Sequence, residues 1–189
     1  AIQLSDRENV INVDFRAADM RDLPFADNSF DAVFSSAVLE HLSDPVVALS
    51  EAYRVVKKGG LIGVLSTDWT DPLISPENEF LKSFFELFEQ GFNRTGGSLN
   101  RGRYLRLMLE KAGFDVVEFS AGYINSATPE STRGSVDRFI NWMDNIPIFQ
   151  QAVDLKLVEN NRLEIMGREM KKWSEKPGAF MATTRCMGV

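Results

Sequence analysis

Four groups of residues have the types and spacing to act on a small molecule. Asp19 and Met20 follow a short, weakly alternating segment, residues 13–17. A carboxylate beside a backbone N–H can read one edge of a heterocycle, and it can equally close a turn. Ser35, Ser36 and Ala37 follow the β-prone run Phe30-Asp31-Ala32-Val33-Phe34, so small residues fall where a strand gives way to a loop. Glu40 and His41 come next, and His41 is the only histidine in the chain. Its imidazole is the one side chain that ordinarily titrates near neutrality. That makes it a candidate general base, the alternative being a histidine that fixes a turn. Phe80, Phe84 and Phe88 recur at i, i+4 and share one helical face, with Phe85 and Phe92 beside them. Such a face is either the wall of an apolar pocket or ordinary core packing.

The elements that must position these groups follow from local signals. Asp44-Pro45 is a helix start, because Asp accepts from free N–H groups and Pro suits the first helical position. Val46, Val47, Leu49, Tyr53 and Val56 supply an apolar stripe, Lys57 and Lys58 favour the negative end of the helix, and Gly59-Gly60 stops it. The continuous apolar run over residues 61–65 predicts a strand buried on both faces of a parallel sheet. Further strands are expected at 13–17, 30–34, 114–119 and 179–187. Helices are expected at 77–92, 101–112, 133–145, 149–155 and 159–173, and residues 66–76 as a loop. Alternating strands and helices predict an α/β domain with helices on both faces of one sheet. The whole of 1–189 reads as a single domain, in which residues 123–176 form a helical insertion, or cap, before the last strand.

Composition narrows the function classes. The net charge is −6, which disfavours a general nucleic-acid binder, whose footprint is a basic surface. The single cysteine, Cys186, excludes an internal disulfide and a cysteine metal cluster. No apolar run approaches the ~20 residues that span a bilayer. The first ten residues carry Asp6, Arg7 and Glu8 rather than an apolar leader, so a cytoplasmic protein is expected.

Residues 19–63 read DMRDLPFADNSFDAVFSSAVLEHLSDPVVALSEAYRVVKKGGLIG. This stretch resembles the central part of the class I S-adenosylmethionine-dependent methyltransferases of the small-molecule type, the group that includes the ubiquinone/menaquinone methyltransferases. The pieces stand in the family's order and spacing: an acidic residue, Leu-Pro-Phe, Ser-Phe-Asp and a strand, Leu-Glu-His-Leu, Asp-Pro and a helix, then Lys-Gly-Gly before a strand. The resemblance is strong over residues 14–68 and general beyond. It implies a Rossmann-like fold with strand order 3-2-1-4-5-7-6 and S-adenosylmethionine as cofactor. The Asp19 carboxylate would accept from the adenine amine, the Met20 N–H would donate to a ring nitrogen, and Ser35, Ser36 and Ala37 would line the methionine arm. Asp31 reads as structural. Some quinone relatives bind a divalent metal through Glu-x-x-Glu-His here. Because Ala37 stands at the first of those positions, no metal is expected.

The family opens with two strands and a glycine-rich turn that have no counterpart before Val13. The resemblance therefore covers a domain whose first two strands, roughly 50 to 70 residues, are not in this sequence. Residues 13–17 would lack the neighbour they pair with. The implied activity is methyl transfer to a small, apolar or aromatic acceptor, with His41 at the pocket mouth and Phe80, Phe84 and Phe88 as its wall. The competing readings are a fragment or interaction module without cofactor binding, and a nicotinamide-dependent oxidoreductase, for which no later motif is found. Association into a homodimer stays open.

Overall fold

The computed structural model describes residues 2–159 and 161–189. Four strands form one sheet: β1 (Phe30–Ser36), β2 (Val56–Ser75), β3 (Phe119–Ser126) and β4 (Phe180–Gly188), in the order β1-β2-β4-β3. The β1–β2 pair is parallel and the other two pairs are antiparallel. This arrangement reproduces the last four strands of the order implied by the resemblance. The described helices are α1 (Ile2–Arg7), α2 (Pro45–Val55), α3 (Glu79–Arg94), α4 (Leu105–Lys111), α5 (Pro129–Asn145), α6 (Pro147–Asp154) and α7 (Arg162–Ser174).

The start of α2 behaves as the sequence predicts, but its end does not: the helix stops at Val55, and Val56 to Gly60, expected to close it, already belong to β2. Asp44 Oδ1 accepts from the N–H of Val46 at 3.1 Å and Val47 at 3.4 Å, and Pro45 opens α2. Ala48, Leu49, Ala52 and Val55 face the sheet. The chain leaves the helix into β2 through a bulge, where the register with β1 jumps between Phe30↔Val56 and Ala32↔Leu61. Gly60 is required there: a Cβ would lie 2.7 Å from the carbonyl oxygen of Asp31. Lys57 donates to Asp31 at 2.7 Å across the same bulge.

Three other sequence expectations are corrected. Residues 13–17 make no ladder and stay exposed, because a β-prone segment becomes a strand only with a partner edge beside it. Residues 66–76 are not a loop. β2 runs on to Ser75 along β4, and the register shift between Asp68↔Thr184 and Leu73↔Ala182 throws residues 69–72 out as a bulge. The strand expected at 114–119 begins where that range ends, at Phe119. Phe114 and Val116 instead pack against the core beneath β1 and β2, and Val117 and Glu118 bond to the Val189 carbonyl.

Two separate cores result. One lies between the sheet, α2 and α4, around Leu49, Ile62, Val64, Leu105 and Leu109. The other joins α3 to α5, α6 and α7, around Phe84, Phe139, Phe149, Met166, Met170 and Trp173. The three helices between β3 and β4 thus share their interior with α3. A capping box in which Thr128 and Ser131 exchange bonds starts α5, and Trp173 Nε1 donates to the Pro76 carbonyl at 2.7 Å.

Candidate functional site

Ligands in open α/β sheets bind beyond the carboxyl ends of the parallel strands. Here that place is the end of β1, at Ser36, beside Leu65 of β2. The chain turns sharply at Ala37, whose φ is +53° and whose N–H donates to the Leu65 carbonyl at 3.0 Å. A left-handed alanine costs on the order of 1 kcal/mol, strain of a kind that collects at functional turns. Ser35, Ser36 and Ala37 are therefore together at the mouth. Ser36 is exposed. Ser35 is half-buried, and its Oγ is shielded from solvent with no hydrogen-bond partner.

A turn of 3₁₀ helix, Leu39–His41, follows. Glu40 is 3% exposed, and one carboxylate oxygen accepts from Ser66 Oγ at 2.8 Å and from the Thr67 N–H at 2.9 Å. That carboxylate pins the turn after β1 to the continuing strand β2. Its second oxygen, Oε2, is buried and has no partner. The segment after α3 closes over the turn. Ser98 N–H donates to the Glu40 carbonyl at 2.8 Å, and Arg101 donates to the Leu42 carbonyl at 3.1 Å. Arg101 Nε is buried and unpartnered. His41 points outward, its ring 5.1 Å from Phe92.

Asp19 and Met20 form a separate turn. The Asp19 carboxylate is exposed and held by Arg21 through both the guanidinium, at 2.7 Å, and the backbone N–H, at 2.9 Å. The Arg21 side-chain hydrogen bond keeps the carboxyl down at about 2. The next stretch is tied to α2. Arg54 donates to the carbonyls of Leu23 and Phe25 and to Asp27, while Glu51 grips Arg54 and accepts from the Leu23 N–H at 3.0 Å. The sequence reading missed this pair. Its signal was a Glu and an Arg three apart on the solvent side of an otherwise apolar helix.

Phe84 and Phe88 are buried in the helical core, and the Phe84 ring stacks on Phe139 at 4.6 Å and Phe149 at 5.4 Å. Phe80 is half-buried, with the Arg162 guanidinium 4.9 Å above its ring. The rings nearest the mouth are others. Phe92 links His41 to Phe88, and Trp69 on the β2 bulge meets Trp142 of α5 at 5.8 Å. A clasp that the sequence did not announce shapes the bulge. Arg103 binds Asp68, Thr70 Oγ1 at 2.8 Å and Asp71 at 2.7 Å. Burial by itself would raise the Asp68 carboxyl. The hydrogen bonds from Arg103 and Thr70 outweigh it and hold the group below the usual carboxylate range. Burial, with Asp68 nearby, pushes the Cys186 thiol up. Among the described residues no three metal-ligating side chains converge, and no helix is long and apolar enough to cross a membrane.

Taken together, the site is a strained turn beyond the end of β1, in a Rossmann-like sheet. Comparison with known proteins makes this specific. Residues 1–64 match the family described as a methyltransferase domain. An uncharacterised methyltransferase of Schizosaccharomyces pombe is 37% identical over 51% of this chain and 36% of its own length. The ubiquinone/menaquinone biosynthesis C-methyltransferase of Haemophilus ducreyi is 30% identical over 60% of this chain and 49% of its own. This chain therefore spans between a third and a half of those relatives. Among solved structures, a Haemonchus contortus phosphoethanolamine N-methyltransferase in complex with S-adenosylhomocysteine superposes with a TM-score of 0.52. It covers 100% of this chain and 39% of its own at 16% identity, a likeness of fold. The chain is thus similar to methyltransferases, with the family match lying in residues 1–64.

Proposed function

We propose that this chain takes part in methyl transfer from S-adenosylmethionine to a small acceptor. The observation that carries the proposal is the end of β1, where Ser35, Ser36 and the left-handed Ala37 stand at the carboxyl end of the parallel pair and Ser35 Oγ is buried without a partner. A shielded hydroxyl with no protein partner fits a polar group of a ligand. In this reading Ser35, Ser36 and Ala37 hold the methionine arm, and Asp19 and Met20 meet the adenine. Adenine would then share the Asp19 carboxylate with Arg21. When bound, the cofactor supplies an electrophilic methyl on a sulfonium and a neutral thioether leaving group. The protein needs to bind, align and exclude water, which accounts for the absence of a catalytic triad from the motifs.

The acceptor side lies toward α3 and the cap formed by α5 to α7. In this reading His41 would take a proton from a hydroxyl acceptor. Phe84 and Phe88 would act from within the core, and Phe80 lies at the far end of α3 beneath Arg162. An apolar or aromatic acceptor suits the rings that surround the mouth, and nucleic acid does not suit an acidic chain. The test is calorimetry with S-adenosylhomocysteine on the chain and on Asp19→Ala, with mass spectrometry of any small molecule that co-purifies. Binding that weakens several-fold in Asp19→Ala supports the assignment. Binding indifferent to Asp19 removes it, and no binding by the chain leaves a methyltransferase-fold module without cofactor.

A further inference from the structure

Three buried side-chain polar atoms lack a hydrogen-bond partner among the described residues: Ser35 Oγ, Glu40 Oε2 and Arg101 Nε. Their residues belong to two segments that meet beyond the end of β1. Ser35 and Glu40 flank the turn after β1. Arg101 sits on the segment after α3, which is bonded onto that turn through Ser98 N–H to Glu40 O and through Arg101 to Leu42 O. Buried polar groups are almost always satisfied, so three orphans on two segments that meet indicate a partner of another kind. Proposed cofactor binding accounts for Ser35. It does not account for a carboxylate oxygen and a guanidinium N–H, which want opposite things: a donor and an acceptor.

We propose that Glu40 and Arg101 form the polar grip of the acceptor site, and that the acceptor is a hydroxyl compound of the phenol class. A hydroxyl has both polarities that the orphans demand, since its O–H donates to Glu40 Oε2 and its oxygen lone pairs accept. Glu40 is built for the task. Ser66 Oγ and the Thr67 N–H fix its other oxygen at 2.8 and 2.9 Å, so the carboxylate is oriented before any ligand arrives. A carbon acceptor without a hydroxyl leaves Oε2 unsatisfied. The aromatic character follows from the rings of His41, the next residue in the chain, and Phe92, 5.1 Å apart. Sequence reading favours His41 as the only histidine in the chain. The buried, pre-oriented group is its neighbour.

The inference rests on the methyltransferase reading only in calling the ligand an acceptor. Its test therefore measures ligand and cofactor separately on the full chain. Equilibrium dialysis compares 2-naphthol with 2-methoxynaphthalene, which keeps the rings and lacks the donor, and calorimetry follows S-adenosylhomocysteine. The unaltered chain is expected to prefer the naphthol by roughly tenfold or more. Glu40→Gln is the discriminating variant. Its amide carbonyl can still accept from Ser66 and Thr67, so the latch survives, but the free position becomes a donor. The naphthol preference should vanish in Glu40→Gln while S-adenosylhomocysteine affinity stays unchanged. A purely structural Glu40 predicts no loss of preference in Glu40→Gln, and that result overturns the proposal. So does equal binding, or no binding, of the two naphthalenes by the unaltered chain, a comparison that needs no variant to fold. A naphthol preference in a chain that ignores S-adenosylhomocysteine supports the polar grip and removes the methyltransferase reading. Cofactor binding without the preference does the reverse.

Discussion

Phe84 offers the sharpest test of how the aromatic helix divides between core and pocket. Its ring is fully buried and lies between 4.6 and 5.7 Å, centroid to centroid, from the rings of Phe139, Phe85, Phe149 and Phe88. Truncation to Ala loses the transfer free energy of a whole ring and leaves a cavity that four neighbouring rings cannot close without leaving their rotamers. Such changes cost about 3–5 kcal/mol, a large part of the roughly 5–15 kcal/mol by which domains are stable. Phe92 is the internal control. It is half-buried, has ring partners Phe88 at 4.9 Å and His41 at 5.1 Å, and should cost about 1–2 kcal/mol on truncation. Urea unfolding followed by far-ultraviolet circular dichroism, with the slope unchanged between variants, measures both. A Phe84→Ala loss below about 2 kcal/mol, or one no larger than that of Phe92→Ala, would refute the view that Phe84 is held by core packing.

Other expectations are independent of that one. Asp44→Ala removes the carboxylate that caps α2 and should cost about 1 kcal/mol, read as a fall of roughly 2–4 °C in Tm. Gly91→Ala adds a Cβ 2.6 Å from the Ile148 Cβ at the contact of α3 with α6. It should destabilise by about 1–3 kcal/mol despite better helix propensity, and a variant at least as stable as the parent would show that the helices separate easily. In Glu51→Ala, hydrogen exchange at the Leu23 amide should accelerate, because that N–H loses its acceptor and Arg54 loses its grip. An unchanged rate would mean that the latch holds nothing. Asp19 titrates at about 2 because Arg21 favours its ionised form. Its contribution to stability is therefore complete above the ordinary value of 3.8 and fades as pH falls through about 2. Carboxyl carbon NMR on Arg21→Met should find the midpoint returned toward 3.8, and a midpoint still near 2 would point to another cause.

How much of this was legible in the sequence depended on whether the cause was local. Asp44-Pro45 announces α2 because a cap and its helix are neighbours in the chain. The apolar run at 61–65 announces a strand, but only one of its faces is buried: Ile62 and Val64 lie in the core while Leu61 is exposed. Residues 66–75 looked like a loop because Asp68, Thr70, Asp71 and Pro72 are turn formers. They are in fact part of β2, and the bulge at 69–72 takes up those residues while β4 supplies the ladder. β3 was misplaced for a related reason. It is paired on one side only, with mostly exposed side chains, so it lacks the apolar pattern that marks an inner strand. In the candidate site, residue types were legible and partnerships were not. Nothing adjacent in sequence tells Glu40 that it meets Ser66 and Thr67, or Arg103 that it meets Asp68.

The unequal lengths of β1 and β2 have a consequence for direction. β1 stops at Ser36, while β2 continues to Ser75 with β4 alongside, so the end of the sheet is a step rather than a rim. On the low side of the step, beyond β1, the turn at Ala37 is open to approach. On the high side, the continuing strands and the helices above them form a riser. Two molecules arriving at such a step are kept apart and made to face each other across its edge. For the proposed reaction this is a stereochemical instruction: donor on the tread, acceptor against the riser, and the methyl group passing between them along one line.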